Sequence, residues 1–236
     1  MRLLAVIPNP LFVSIGTRRL DAAQVILVAF VGAGLAPLVA TAGVALYLPA
    51  LFWSICVATD FSENGRAFLE GEVMLLTLNG ALSTRDRNFK VYCDGLDTNH
   101  KKKIRERICE KLKSLHDIYE APCSEKAHVD NIWKLADDLT HAFGEELHDS
   151  RFRIGVSQKL LNLYLKYRWV LGWISEPCHC PFDSVIIEKL HLAKRVNWTA
   201  LDSVDDYWAL VDAARKASAD ARLSIAEWEL ANFERR

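Results

Sequence analysis

Apolar side chains recur at helical spacing through most of the chain after residue 60. Over residues 98–119, Ile104, Ile108, Leu112 and Leu115 return every three or four positions, while Lys101, Lys102, Lys103, Arg105, Arg107, Lys111 and Lys113 crowd the others. That pattern predicts one amphipathic, basic helix. Over residues 125–148, Val129, Ile132, Trp133, Ala136, Leu139, Phe143 and Leu147 form the next apolar face. A connector from Arg151 to Val156 follows, with Ser157 as the expected N-cap of a helix running through Leu160, Leu161, Tyr164 and Leu165 towards Leu171. The spacing therefore predicts a helix pair over 125–171 joined by a tight turn centred on Gly155. Asp183 is expected to cap a further helix with Val185, Ile186, Leu190 and Leu192 on its apolar side. Ser203 with Asp206, and Ser224 with Glu227, mark the starts of two more. Asn79-Gly80 and Asp94-Gly95 read as turns, with a short strand pair around Phe89 to Cys93 between them. The sum is an all-α domain over residues 60–236.

Residues 1–59 follow a different pattern. From Ala22 to Ala58 there is no Asp, Glu, Lys, Arg or His, and the polar residues reduce to Gln24, Thr41 and Ser54. One bilayer span needs roughly 20 apolar residues and two spans with a turn roughly 40, so the run is long for one and short for two. Gly32, Gly34 and Pro37 mark a break within it. Three readings stand: a membrane-inserted helix or shallow hairpin, a pair of buried core helices, and an export signal with Ala40-Thr41-Ala42 at its cleavage site. Arg18 and Arg19 before the run, with Asp60 and Glu63 after it, favour a cytoplasmic N-terminus. A single span would then export the helical domain, whereas buried core helices or a shallow hairpin keep it in the cytoplasm or on the cytoplasmic face of an inner membrane, the location expected, with membrane association through residues 22–58.

Charge and cysteine content narrow the classes. With 29 basic and 30 acidic side chains, the 236-residue chain carries a formal charge of −1. A nucleic-acid partner would thus need a local basic surface. The basic helix over 98–119 offers one, although Glu106 and Glu110 also make it an ordinary solvated face. Six cysteines in a chain of this length do not form the disulfide framework of a small secreted domain, and a reducing compartment is expected.

One stretch carries a family likeness. Gly155-Val156-Ser157-Gln158-Lys159-Leu160-Leu161-Asn162, followed by Pro181-Phe182-Asp183-Ser184-Val185, resembles the core of the helix-hairpin-helix DNA glycosylases. Their hairpin reads Gly-Val-Gly-x-Lys-x-x-Asn, and a Val/Pro-Val-Asp-x-His-Val-like segment comes after it. The likeness spans residues 151–185. It implies a helix-hairpin-helix core, DNA as partner, Lys159 as nucleophile and Asp183 as the catalytic aspartate, with Arg153, Gly155, Val156, Ser157 and Gln158 against the nucleic acid. The chain departs from the pattern at Ser157, which replaces the second hairpin glycine, and at Ser184-Val185, where no histidine follows the aspartate. No four-cysteine cluster follows, so an iron–sulfur cluster is not implied.

The residues also support that chemistry directly. A lysine in the first turn of a helix meets the positive end of the macrodipole, which favours the neutral, nucleophilic amine. Attack at the sugar C1′ of an extruded nucleotide would expel the base, and the Asp183 carboxylate could stabilise the oxocarbenium charge and move protons. Trp133, Tyr164, Trp169 and Trp173 are candidates for stacking on the base. Cys178-His179-Cys180 lacks a second pair of donors in the sequence, so no metal is expected, and no cofactor motif is present. The rival reading is a non-catalytic, membrane-associated helical protein that binds a partner.

Overall fold

The computed structural model describes residues 62–84 and 86–234. The chain divides between Thr59 and Asp60. The apolar run over residues 22–58, with its membrane, core and export readings, lies outside the described residues. Among the described residues no helix is long and apolar enough to cross a membrane.

The second unit is all-α. Its helices are α1 (Glu63–Leu82), α2 (Thr98–Ser114), α3 (Glu125–Phe143), α4 (Ile154–Val170), α5 (Ser184–Lys189), α6 (Val204–Ala221) and α7 (Ile225–Asn232). Capping is mostly local. Ser62, Asp97, Ser124, Asp183, Ser203 and Ser224 each accept backbone N–H groups of the helix they precede, and Ser224 forms a reciprocal capping box with Glu227. The basic helix α2 buries Ile104, Ile108 and Leu112 fully. Its charged face is spent partly on Lys102–Glu106, Arg107–Glu110 and Lys111–Asp138 ion pairs.

Helix α4 is the hub, packed against α1, α3 and α6. It is buried almost all round, including Ser157, Gln158, Lys159, Asn162, Lys166 and Arg168. Each of these polar groups therefore needs an internal partner. Lys166, for example, donates to Glu229 at 2.8 Å and stands 3.9 Å from the centre of the Phe233 ring, which ties α7 and the C-terminal segment to the hub.

Four sequence expectations change. The turn between α3 and α4 is not centred on Gly155: it runs over 144–153 through two short 3-10 turns, with Asp149 and Ser150 in the left-handed region. Gly155 is the second residue of α4, and Ser157 lies inside the helix, where its hydroxyl donates to the Ile132 carbonyl at 2.6 Å instead of capping. Asn79-Gly80 falls in the last turns of α1, because a glycine lets α1 close on Leu163 of α4. The strand pair around Phe89 reduces to one antiparallel bridge, Tyr92 with Leu147, and no strand forms among the described residues.

Gly155 is required by contact rather than by dihedral freedom. A Cβ there would stand 1.7 Å from the Trp198 carbonyl oxygen. Gly155→Ala is expected to destabilise the protein by about 3 kcal/mol or more, because backbone must move. Gly71→Ala, at an exposed α1 position with nothing within 4 Å, should stabilise by about 0.5–1 kcal/mol. Urea denaturation of both variants checks the contrast.

Candidate active site

A cleft of about 850 Å³ opens where the end of α1, one face of α4, the start of α5, the 193–199 loop and the C-terminal segment meet. Lys159, Leu163 and Tyr167 form its α4 wall. They recur every four residues and so share one helical face.

Gln158 sets the register of that wall. Its side-chain amide donates to the Phe182 carbonyl at 2.8 Å and accepts from the Phe182 N–H at 3.1 Å. Clamping 158 to 182 brings the next residues, Lys159 and Asp183, together. Asp183 divides its oxygens: Oδ1 accepts from the Val185 and Ile186 amides at 2.9 and 3.1 Å as the cap of α5, while Oδ2 stands 3.8 Å from Lys159 Nζ. The same Nζ lies 4.2 Å from the centre of the Trp198 ring, a cation–π distance. Lys159 is the sixth residue of α4, beyond the first turn in which the macrodipole acts. The dipole argument for its reactivity is thereby removed.

The 193–199 loop is held from both sides. Asn197 donates to Asp86 at 2.6 Å and accepts from the Thr199 amide and hydroxyl. The Asn88 backbone N–H, followed by Asn197, holds the Asp86 carboxyl below its ordinary range. Just beyond the loop, Leu201 accepts the Gly155 N–H at 2.8 Å. Asp202 accepts the Ile154 N–H at 3.1 Å and the Arg151 guanidinium at 2.8 Å. Arg153 gives α4 no side-chain cap, so Asp202, distant in sequence, caps the helix in its place.

That arrangement uses the hairpin residues internally. The Gly155 amide is engaged by Leu201, and Val156, Ser157 and Gln158 are buried. The Arg153 guanidinium bonds the Lys90 carbonyl and Asp149 and lies over Phe89. All five thus have internal partners or are buried. The aromatic candidates also lie elsewhere. Trp133 is exposed, Tyr164 lies under Arg168, Trp169 packs on the core, and Trp173 flanks Arg66 and Arg168. None lines the cleft, whose aromatic residues are Trp198, Tyr167 and Phe233. Trp198 was missed in the sequence because it belongs to no helical repeat.

A second polar cluster lies around Asn162. His128 bonds Tyr119 and Asn162, each at 2.9 Å, and Asn162 donates to Tyr207, which in turn bonds His179 at 2.9 Å. Burial pushes the His128 imidazolium down to about 3 and that of His179 to about 4.

Comparison of the chain with protein-family models, curated proteins and solved structures finds no match.

Two predictions follow from this geometry. Gln158→Leu leaves both Phe182 backbone groups buried without their partner and is expected to cost roughly 2–4 kcal/mol in thermal or urea denaturation. The histidines give a pH signature in chelator-treated protein. Unfolding raises each imidazole from its depressed folded value to the ordinary 6.5, so the unfolded chain binds more protons between about pH 6.5 and 4. The stabilisation is complete above that window and is lost as pH falls, by about 1 kcal/mol per pH unit for each ring. The Glu229 carboxyl, raised by burial, titrates with the opposite sign. The decisive readout is therefore the difference from His179→Gln, which should lose about half of the histidine-dependent slope.

Proposed function

We propose that the cleft receives a nucleoside unit of DNA and that Lys159 and Asp183 break its N-glycosidic bond. The supporting observation is the approach of Lys159 Nζ to Asp183 Oδ2, at 3.8 Å in the wall of a cleft of about 850 Å³. On this reading the ammonium first passes a proton to the carboxylate. The amine lone pair bonds to C1′ as the C1′–N bond breaks, its electron pair leaves on the base, and the base takes the proton from Asp183. The attached nitrogen then returns a proton to Asp183. Opening of the C1′–O4′ bond, with protonation of O4′, leaves an imine on Lys159. Trp198, beside the amine, supplies a face for the extruded nucleotide.

With the hairpin amides occupied, phosphate contact falls to the cleft rim. Arg87, Lys194 and Arg195 are exposed and adjoin the wall residues Asp86, Ala193 and Val196 in sequence. None of the three forms an ion pair among the described residues. A second reading, a non-catalytic partner-binding module, is favoured by the exposed apolar side chains Phe68 and Leu75 on α1.

Borohydride reduction separates the two. Incubated with a panel of oligonucleotides bearing modified bases or an abasic site, the protein is expected to form a covalent adduct that Lys159→Gln abolishes while DNA affinity is retained. Asp183→Asn should slow base release by at least ~100-fold and cost about 1 kcal/mol through the weakened cap. Lys194→Glu with Arg195→Glu should weaken DNA binding and flatten its salt dependence. A folded wild-type protein that traps none of the panel, or no more than Lys159→Gln does, overturns the catalytic reading in favour of the binding module.

A further inference from the structure

The loop that carries the active-site aspartate also brings donor atoms to the head of α3. His128 is the fourth residue of α3, and Cys178-His179 lies on the loop between α4 and α5. The donor atoms of His128, Cys178 and His179 all lie within 4.8 Å of one another. Tetrahedral zinc with bonds of about 2.0–2.3 Å sets donor separations of roughly 3.3–3.8 Å, so closure by about 1 Å completes the set. Sequence spacing concealed this cluster because the third donor comes from another helix, some fifty residues upstream.

The surroundings of both rings are those of metal ligands. Asn162 spends its amide nitrogen on Gln158 and Tyr207, so its oxygen accepts from His128 Nε2–H at 2.9 Å. That fixes the tautomer with the lone pair on Nδ1, where the Tyr119 hydroxyl proton now stands. His179 is held through Nδ1, which bonds the Tyr207 hydroxyl at 2.9 Å, and a metal ion on Nε2 requires Nδ1–H to be the donor in that bond. Its Nε2 is buried and has no hydrogen-bond partner, and the Glu125 carboxylate at 3.6 Å is engaged by Arg215. A fully buried nitrogen without a partner carries a desolvation cost that a bound cation removes. One residue, Asn162, thus orients both rings.

We propose that His128 Nδ1, Cys178 Sγ and His179 Nε2 bind a zinc ion. Both imidazoles are already neutral, as ligands must be. The Cys178 thiol is pushed up to about 12 by burial, so binding the ion releases its proton to solvent. Three protein donors, two on the loop and one on α3, make the ion a tie between these segments, with the fourth tetrahedral position left to a solvent molecule. It would fasten the loop after α4 to α3 and so hold the segment that leads to Asp183. The inference does not depend on the chemistry assigned to the cleft.

Metal analysis of the full-length protein purified without chelator is expected to give one equivalent of zinc. Cobalt titrated into the metal-free protein should produce the intense visible bands of a tetrahedral site and a sulfur-to-cobalt charge-transfer band in the near ultraviolet. Cys178→Ser and His179→Gln should each weaken cobalt binding by at least ~100-fold, and Asn162→Ala by ~10–100-fold, as for other groups that orient ligands. Folded protein that binds cobalt without a sulfur band, or that holds no stoichiometric metal, overturns the proposal. So does an unchanged cobalt spectrum in Cys178→Ser.

Discussion

The paired hydrogen bonds between the Gln158 amide and the Phe182 backbone fix the geometry on which the cleft depends. A neutral side chain here satisfies a donor and an acceptor of a loop that has no regular ladder of its own. It does so in the interior, where leaving either group unpaired costs more than the bond contributes. The loop after α4 therefore has little freedom to slip, and a one-residue slip would carry the Asp183 carboxylate away from Lys159. The residue after the clamp on each strand of chain supplies the charged pair, so the 3.8 Å approach is a consequence of backbone registry more than of attraction between the charges.

The N-terminus of α4 shows how a helix can lose a local cap and retain its stability. Arg153 provides no side-chain cap, and the carboxylate of Asp202 and carbonyl of Leu201 take the first amides instead. A helix N-terminus is an anion site, and here the chain fills it with its own carboxylate, which also pairs with Arg151. Gly155 makes this possible by admitting the Trp198 backbone. The same contact brings the Trp198 ring over Lys159. Occupying the first amides of α4 and building the aromatic wall of the cleft are thus two results of one packing event.

How much of this could be read in advance depended on whether the signal was local. Helices with polar caps and one apolar face, such as α2 and α6, follow directly from spacing, and the starts at Ser203 and Ser224 match the capped helices. The α3–α4 connection did not, because Gly155 resembles a turn glycine in sequence while its role is set by Trp198, 43 residues away by subtraction of 155 from 198. Asn79-Gly80 misled for the same reason, its glycine serving contact with Leu163. The meeting of Lys159 with Asp183 was legible through motif likeness, but the wall around them was not. Trp198 and Asp202 sit in an irregular segment whose position follows only from tertiary hydrogen bonds. Likewise, His128 looked like one more polar position on α3 until the loop carrying His179 was placed beside it.

The buried polar face of α4 links these observations. Helices that form the centre of a bundle are ordinarily apolar all round, whereas α4 buries Gln158, Lys159, Asn162 and Lys166 in its interior turns. Each reaches a different segment: Gln158 the approach to α5, Lys159 the head of α5, Asn162 both α3 and α6, and Lys166 α7. Hydrophobic contact alone would hold these segments near α4 with latitude to slide, since it has no direction. Hydrogen bonds and ion pairs have direction, and desolvation penalises every misaligned arrangement. The central helix thus serves as a template that assigns one position to each surrounding element. The cleft forms where the aliphatic stem of Lys159 carries one of these polar groups to the edge of the packed interior.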